Sequence, residues 1–284
     1  MSKLIQMRSR IQTIETIRKV TDAMRIISMS SHSRLKAKQE PLQGYLNTLA
    51  TLFAKVQQAT PTWSHERLMP KSEHDNNPLI ILVGSQKGLC GGFNTFLSKY
   101  FAHYLSEHAS KRYNYIAIGK KAIDYLESTH SDRIINSFPT LTAHNFLSIA
   151  QSLTDLIMTT TPQYTSVTIF SNVFKSFFVQ KPTTTHLIPF NPHMVTLPVE
   201  PPTEGYIWDE LPAEILDTLA VRYIEAQLQH LIFESLLSEH AARFISMDNS
   251  TRNATGLLDT TKLEYNKLRQ AKITTEITEL TGSF

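Results

Sequence analysis

The sequence predicts an α/β protein: a central domain with a Rossmann-like sheet, flanked by two helices long enough to pair as an antiparallel coiled coil. Three observations predict it. Residues 1–40 contain neither Gly nor Pro, and their apolar residues recur at steps of three and four. Residues 213–281 contain no Pro and one Gly, Gly256. Between these stretches, short apolar runs alternate with amphipathic ones, as strands and helices do when they follow one another.

The first stretch has apolar residues at Leu4, Met7, Ile11, Ile14, Ile17, Val20, Met24 and Ile27, with Leu35 later. The stripe is as narrow as a coiled-coil seam, and the extra step of three at Ile17 reads as a stammer. Pro41 and Gly44 interrupt it, and Tyr45, Leu49, Leu52 and Val56 resume it. The expectation is one long helix, kinked or briefly broken near Pro41 and ending before Pro61. About 55 residues at ~1.5 Å each span roughly 80 Å.

Residues 60–77 read as a linker, with Pro61, Pro70, Asp75, Asn76 and Asn77. Strands are expected at Leu79–Val83, Tyr113–Ile118, Arg133–Phe138 and Ser166–Phe174, with one or two more within Lys175–Val179 and Thr185–Phe190. Helices are expected at Phe96–Ser110, Lys120–Ser128 and Asn145–Thr159. Residues 191–212 are Pro-rich and read as an extended connector. Pro212 suits the first turn of the last helix, where its missing N–H is not needed. That helix is roughly 100 Å long at full extent. Its apolar steps run through Ile224, Leu228 and Leu231, then Leu237, Ala241, Phe244 and Met247, then Leu258, Thr261, Tyr265 and Leu268, and finally Ile273, Ile277 and Leu280. The phase slips between runs, so the helix changes partners along its length. The domain expectation is an N-terminal coiled-coil helix over 1–60, a central α/β domain with its linkers over 61–211, and a C-terminal coiled-coil helix over 212–284.

Composition narrows the function. With 41% hydrophobic residues the chain can bury a core. One cysteine excludes a disulfide framework and a Cys-based zinc site. No apolar window is long enough to span a membrane as a helix. The N-terminus lacks the apolar segment of a secretory signal, so reducing cytoplasm is the expected compartment. The net charge is +3, yet residues 1–40 hold nine basic groups against three acidic ones. That +6 segment suits an acidic partner.

Candidate chemistry is sparse. The loop Gly84–Asn94 follows a strand and precedes a helix, a setting that suits phosphate. Its spacing matches neither GxGxxG nor a Walker loop, which leaves a tight turn or a partner contact as the other readings. Cys90 has no adjacent His or second Cys and reads as a small buried residue. The His residues show no metal spacing, and Glu239-His240 reads as structural or solvated. Ser238, Glu239 and His240 are consecutive on one helix and point apart, so they form no catalytic relay. No catalytic residue, metal site or cofactor emerges.

Several blocks carry a resemblance. Met7-Arg-Ser-Arg-Ile followed by Thr16-Ile-Arg-Lys-Val-Thr-Asp-Ala-Met24 resembles the opening of the gamma subunit of F-type ATP synthases. Gly88-Leu-Cys-Gly-Gly-Phe-Asn94 is similar to that family's most recognisable loop. Phe174-Lys-Ser, Gln180-Lys-Pro and Leu187-Ile-Pro resemble its mid-domain strands. Glu234-Ser-Leu-Leu-Ser-Glu-His-Ala-Ala-Arg243, with Met247, Asn253 and Ala254, resembles its C-terminal helix, as does Tyr265-Asn-Lys-Leu-Arg-Gln-Ala-Lys-Ile-Thr274 with Glu276. The blocks cover the chain in order.

The resemblance implies a rotor shaft. It implies terminal helices inside a ring of three alpha and three beta subunits, and an α/β foot domain on the c-ring with the epsilon subunit. One copy per complex, no bound nucleotide and no bond chemistry follow from it, as does a peripheral place on the cytoplasmic face of the bacterial inner membrane. Nucleic acid is not among the implied partners. By position in the family's motifs, Arg8, Arg10, Met24, Arg25, Arg243, Arg269, Gln270, Thr274 and Glu276 meet the alpha/beta ring. Gly88, Leu89, Cys90, Gly91, Gly92, Phe93 and Asn94 shape the foot-domain loop. The chain departs from the family at Asp22, usually basic, at Ile27–Ser33, usually Ala-rich, and near Pro41, where about three residues are lacking. The alternative is a coiled-coil α/β scaffold binding an acidic partner. A third reading is a nucleotide-binding enzyme using the Gly84–Asn94 loop.

Overall fold

The computed structural model describes residues 2–70, 77–108, 112–191 and 209–282. Most of the Pro-rich connector and part of the linker before the first strand lie outside the described residues. The terminal helices are α1 (Ser2–Ala59) and α5 (Pro212–Gly282). Between them run β1 (Pro78–Val83), α2 (Phe93–Glu107), β2 (Asn114–Ile118), α3 (Lys120–His130), β3 (Ile134–Phe138), α4 (Phe146–Thr159), β4 (Ser166–Ser176) and β5 (Val179–Ile188). Pro41 lies inside α1 without ending it. Proline removes one helical hydrogen bond there, and the burial of Leu35, Leu46 and Leu49 on either side offsets that loss. The chain divides into two compact units, Met1–Ser31 with Arg243–Phe284, and His32–Ala242.

In the second unit the sheet order is β3-β2-β1-β4-β5. The first four strands are parallel, and β5 runs antiparallel to β4. Of the two candidate strands after residue 174, the first, Lys175–Val179, is the end of a longer β4, the turn at Phe177–Phe178 and the first residue of β5, and the second, Thr185–Phe190, falls mostly in β5. Pro182 is accommodated because β5 is an edge strand. Both faces of β1 are covered, which is why it reads as a continuous apolar run. Leu79, Ile81 and Val83 join a core with α4, α5 and α1 residues such as Leu153, Leu237 and Phe53. Ile80 and Leu82 join a second core with Leu97, Phe101 and Leu126 of α2 and α3.

Two departures from the sequence reading matter. Residues 60–70 are part of the core: Trp63 and Leu68 are buried. Trp63 Nε1 donates to Asp217 at 2.8 Å, and its ring meets Phe53 edge-on at 5.4 Å. Phe53 also meets Phe190 at 5.3 Å and is fully buried. Phe53→Ala is therefore expected to cost about 3–5 kcal/mol, read as a lower urea midpoint. Second, α5 shows no stripe over Leu231–Glu239; all nine residues are buried. A helix covered on every side has no outer face to mark with polar residues.

Three histidines of this unit, His32, His130 and His230, have pKa values lowered chiefly by burial. The His32 ring packs 5.4 Å from Phe174 and 5.0 Å from Phe177, and burial there disfavours the imidazolium. A folded pKa below 6.5 means the unfolded chain takes up protons first as pH falls. These histidines thus contribute stability that is complete above about pH 6.5 and lost below it. Burial raises the Glu234 carboxyl, which acts in the opposite sense just above its ordinary 4.5. Thermal melts are expected to move to lower temperature between pH 7 and 5.5, and His32→Phe is expected to reduce that shift.

Candidate partner-contact site

In the first unit, α1 and α5 pair antiparallel. Arg25 Nη1 bonds Asp248 at 3.1 Å, Thr251 Oγ1 donates to Thr21 Oγ1 at 2.9 Å, and Lys262 pairs with Glu15 at 2.8 Å. As the α1 number falls, its α5 partner's rises. Ile14, Ala254 and Leu258 form the small apolar centre, with Ile11 beside it. The hydrogen bond and charge of Lys262 hold the Glu15 carboxyl below the usual range. Asp248 also accepts from Arg252 at 2.8 Å, so one carboxylate ties two cations.

The inner row of α1 departs from the expected apolar seam. Met7, Ile11 and Ile14 do face inward, wholly or in part. After them the inner row continues through Arg18, Thr21, Arg25 and Ser28, all at least half-buried. The apolar residues leave it. Ile17 is 50% exposed, Val20 53% and Ile27 62%, with Met24 half-buried among them. There is no stammer; the inner row keeps alternating steps of four and three, and two of its polar residues, Thr21 and Arg25, bond across it to Thr251 and Asp248. On α5 the last apolar run, Ile273, Ile277 and Leu280, is also exposed on one helical face. Among the described residues, this unit therefore leaves two apolar rows uncovered. Isolated exposed leucines are ordinary, whereas aligned apolar rows mark contact surfaces.

Arg8 and Arg10 are exposed. Arg25 is half-buried, and Asp22, the departure from the family pattern, accepts two of its hydrogen bonds, at 2.8 and 3.1 Å. Arg243 is buried. Arg269, Gln270, Thr274 and Glu276 are exposed near the end of α5. There Thr274 Oγ1 donates to the Gln270 carbonyl and Glu276 pairs with Lys272 at 3.3 Å.

In the second unit, the Gly84–Asn94 loop is turned on itself. Asn94 Oδ1 accepts the Ser85 N–H at 3.1 Å, and Asn94 Nδ2 donates to Ser85 Oγ at 2.8 Å and Cys90 Sγ at 3.2 Å. Ser85 Oγ donates to the Lys87 carbonyl at 2.8 Å. Cys90 is buried, as the sequence suggested. Leu89 has φ +63° and is 58% exposed, so the loop presents an apolar side chain on a strained backbone. The loop also meets α5. The buried carboxylate of Glu239 accepts the Gln86 N–H at 3.4 Å. Glu239 is thus structural and not solvated. Its single letter on a charged helix gave no signal; only the fold brings its block to the Gly-rich loop. Among the described residues no three His, Cys, Asp or Glu side chains group as metal ligands, and no helix is long and apolar enough to cross a membrane.

A family model described as ATP synthase matches residues 3–284. The ATP synthase gamma chain of Flavobacterium psychrophilum is 34% identical over 284 residues, covering 99% of this chain and 98% of the relative. That of Geobacter sp. strain M21 is 32% identical, covering 99% and 97%. Among solved structures, a chain of the Euglena gracilis mitochondrial ATP synthase, seen as its OSCP, F1 and c-ring assembly, is similar with a TM-score of 0.69. It is 17% identical and covers 99% of this chain and 93% of that one. A chain of the central stalk and c-ring of the Tetrahymena thermophila mitochondrial ATP synthase has a TM-score of 0.58 at 18% identity, covering 81% and 98%.

Proposed function

This chain belongs to the ATP synthase gamma-chain family, and on that premise we propose that it is the central rotor shaft of an F-type ATP synthase, passing torque between a membrane c-ring and a catalytic alpha/beta ring. Segments 1–60 and 212–284 supply the shaft, and 61–211 the foot. One copy stands in a ring of three alpha and three beta subunits, with epsilon and the c-ring at the foot, on the cytoplasmic face of a bacterial inner membrane. The chain itself carries out no bond chemistry and holds no nucleotide.

The observation that carries this reading is the pair of uncovered apolar rows, Ile17, Val20 and Ile27 on α1 and Ile273, Ile277 and Leu280 on α5. A free-standing two-helix arm would turn such residues inward. A shaft inside a sleeve turns them outward, and basic Arg8 and Arg10 on α1 suit acidic loops around it. The ring contacts proposed for Arg8, Arg10, Met24, Arg25, Arg243, Arg269, Gln270, Thr274 and Glu276 rest on their family positions. Between the helices, the Arg25–Asp248 and Glu15–Lys262 pairs resist sliding, so rotation of one helix is passed to the other. Two unlike helices also give the shaft different faces. Only a shaft that contacts the three beta subunits unequally can bias their nucleotide states in turn.

The test is reconstitution. Purified chain, alpha and beta subunits from the same source and MgATP are expected to give a complex with one copy per six, with raised and sustained ATP hydrolysis. A folded chain that forms no complex and leaves the rate unchanged would favour the scaffold reading instead. Calorimetric titration of the lone chain with ATP is expected to be flat.

A further inference from the structure

Several buried polar residues of the second unit gather where β1 and β4 end against α5. Ser171 lies one residue past Phe170, which pairs with Leu82, so the register carries it to the side of Val83. Two residues on from Ile169, it shares that residue's face of the sheet, whose core includes Leu236 and Leu237 of α5. On α5, Ser235 and Ser238 are buried beside those leucines, and Glu239 reaches the loop after β1 through Gln86. The hydroxyls of Ser171, Ser235 and Ser238 are all buried and hydrogen-bond to no protein atom. Farther along the same helix, Ser250, Thr255, Thr260 and Thr261 turn their hydroxyls back to the carbonyl four residues earlier. Ser235 and Ser238 make no such bond, although the helix offers it.

A buried hydroxyl with no partner costs about 1–3 kcal/mol. Three in one place are too costly for a chain of ordinary stability unless something satisfies them. Polar, enclosed sites of this kind hold water, which makes two to four hydrogen bonds. We propose that a small group of internal water molecules is bound here, bridging Ser171 on β4 to Ser235 and Ser238 on α5, beside the Gln86–Glu239 contact. The place is where an open α/β sheet ordinarily receives a ligand, next to the first βα loop between two strands whose connections diverge. Here α5 closes it, and water fills the polar gap between helix and sheet. The inference does not depend on the rotor reading.

Oxygen-17 magnetic relaxation dispersion detects water molecules held inside a protein. The full chain is compared with Ser238→Ala and Ser235→Ala. The expected result is a smaller dispersion amplitude in either variant, with the thermal midpoint lowered by about 2–4 °C. A loss in either variant places water on that hydroxyl. Unchanged amplitude in both overturns the proposal, and a dry site would also leave the midpoint unchanged or raised, because alanine then removes an unsatisfied group.

Discussion

Replacing Gly119 by alanine is expected to lower the stability of the chain by about 3 kcal/mol or more. Gly119 joins β2 to α3 with φ +85° and ψ 141°, a region that side chains other than hydrogen rarely enter. That conformation alone costs an L-residue about 1–3 kcal/mol. The added methyl would also stand 2.3 Å from the Gly84 carbonyl oxygen and 3.0 Å from the Ser85 carbonyl carbon. Neither atom is the end of a flexible side chain, so the backbone after β1 must move. It is held by the Gly84 N–H to the Ile118 carbonyl at 2.9 Å, and by the Lys121 N–H to the Ser85 carbonyl at 3.0 Å. Ser85 in turn anchors Asn94 and Cys90, so the displacement reaches the Gly-rich loop. The urea midpoint measures the effect. A loss under 1 kcal/mol would mean that the β1 and β2 ends do not meet as closely as described.

The element order was legible because each part carries a local signal. β1 is a run of five apolar residues after Pro78, and α5 opens on Pro212. The seam of α1 was legible at its ends and misread in its middle. Counting apolar letters follows Ile14 to Ile17, Val20 and Ile27, although those residues face outward. The inner row can be traced backward instead. Val56, Phe53, Leu49, Leu46 and Leu35 are buried at steps of three, four, three and then eleven. Carried on, the same phase gives His32, Ser28, Arg25, Thr21, Arg18, Ile14, Ile11 and Met7 without a slip. Periodicity reports where apolar residues lie, not whether the chain or a partner covers them. The same ambiguity hid the core role of Trp63 and Leu68, which lie in a segment of turn-forming letters. Pairing between distant blocks, as of Gln86 with Glu239, has no local signal at all.

A matched pair of substitutions separates the two faces of α1. Ile14→Asp places a carboxylate in the seam centre beside Ala254 and Leu258, where Lys262 across the seam already serves Glu15. The lost burial and the charge set in the apolar centre together are expected to cost about 3–5 kcal/mol. That centre contains three buried apolar residues, so the paired helices of the first unit should separate locally. Hydrogen exchange is expected to quicken in residues 7–28 and 248–262 while the sheet strands stay protected. Ile17→Asp makes the same chemical change three residues on, at a position 50% exposed. Its cost in the free chain is expected to stay under about 1 kcal/mol, with exchange in the seam unaltered. In the reconstituted assembly the order of consequences changes. A charge on the outer row must be desolvated against the alpha/beta ring, so Ile17→Asp is expected to weaken assembly at least about tenfold while the free chain remains folded. If both variants open the seam equally, the inner and outer rows have been assigned to the wrong faces. If Ile17→Asp assembles and sustains ATP hydrolysis like the parent, the outer row is not the surface on which the ring closes.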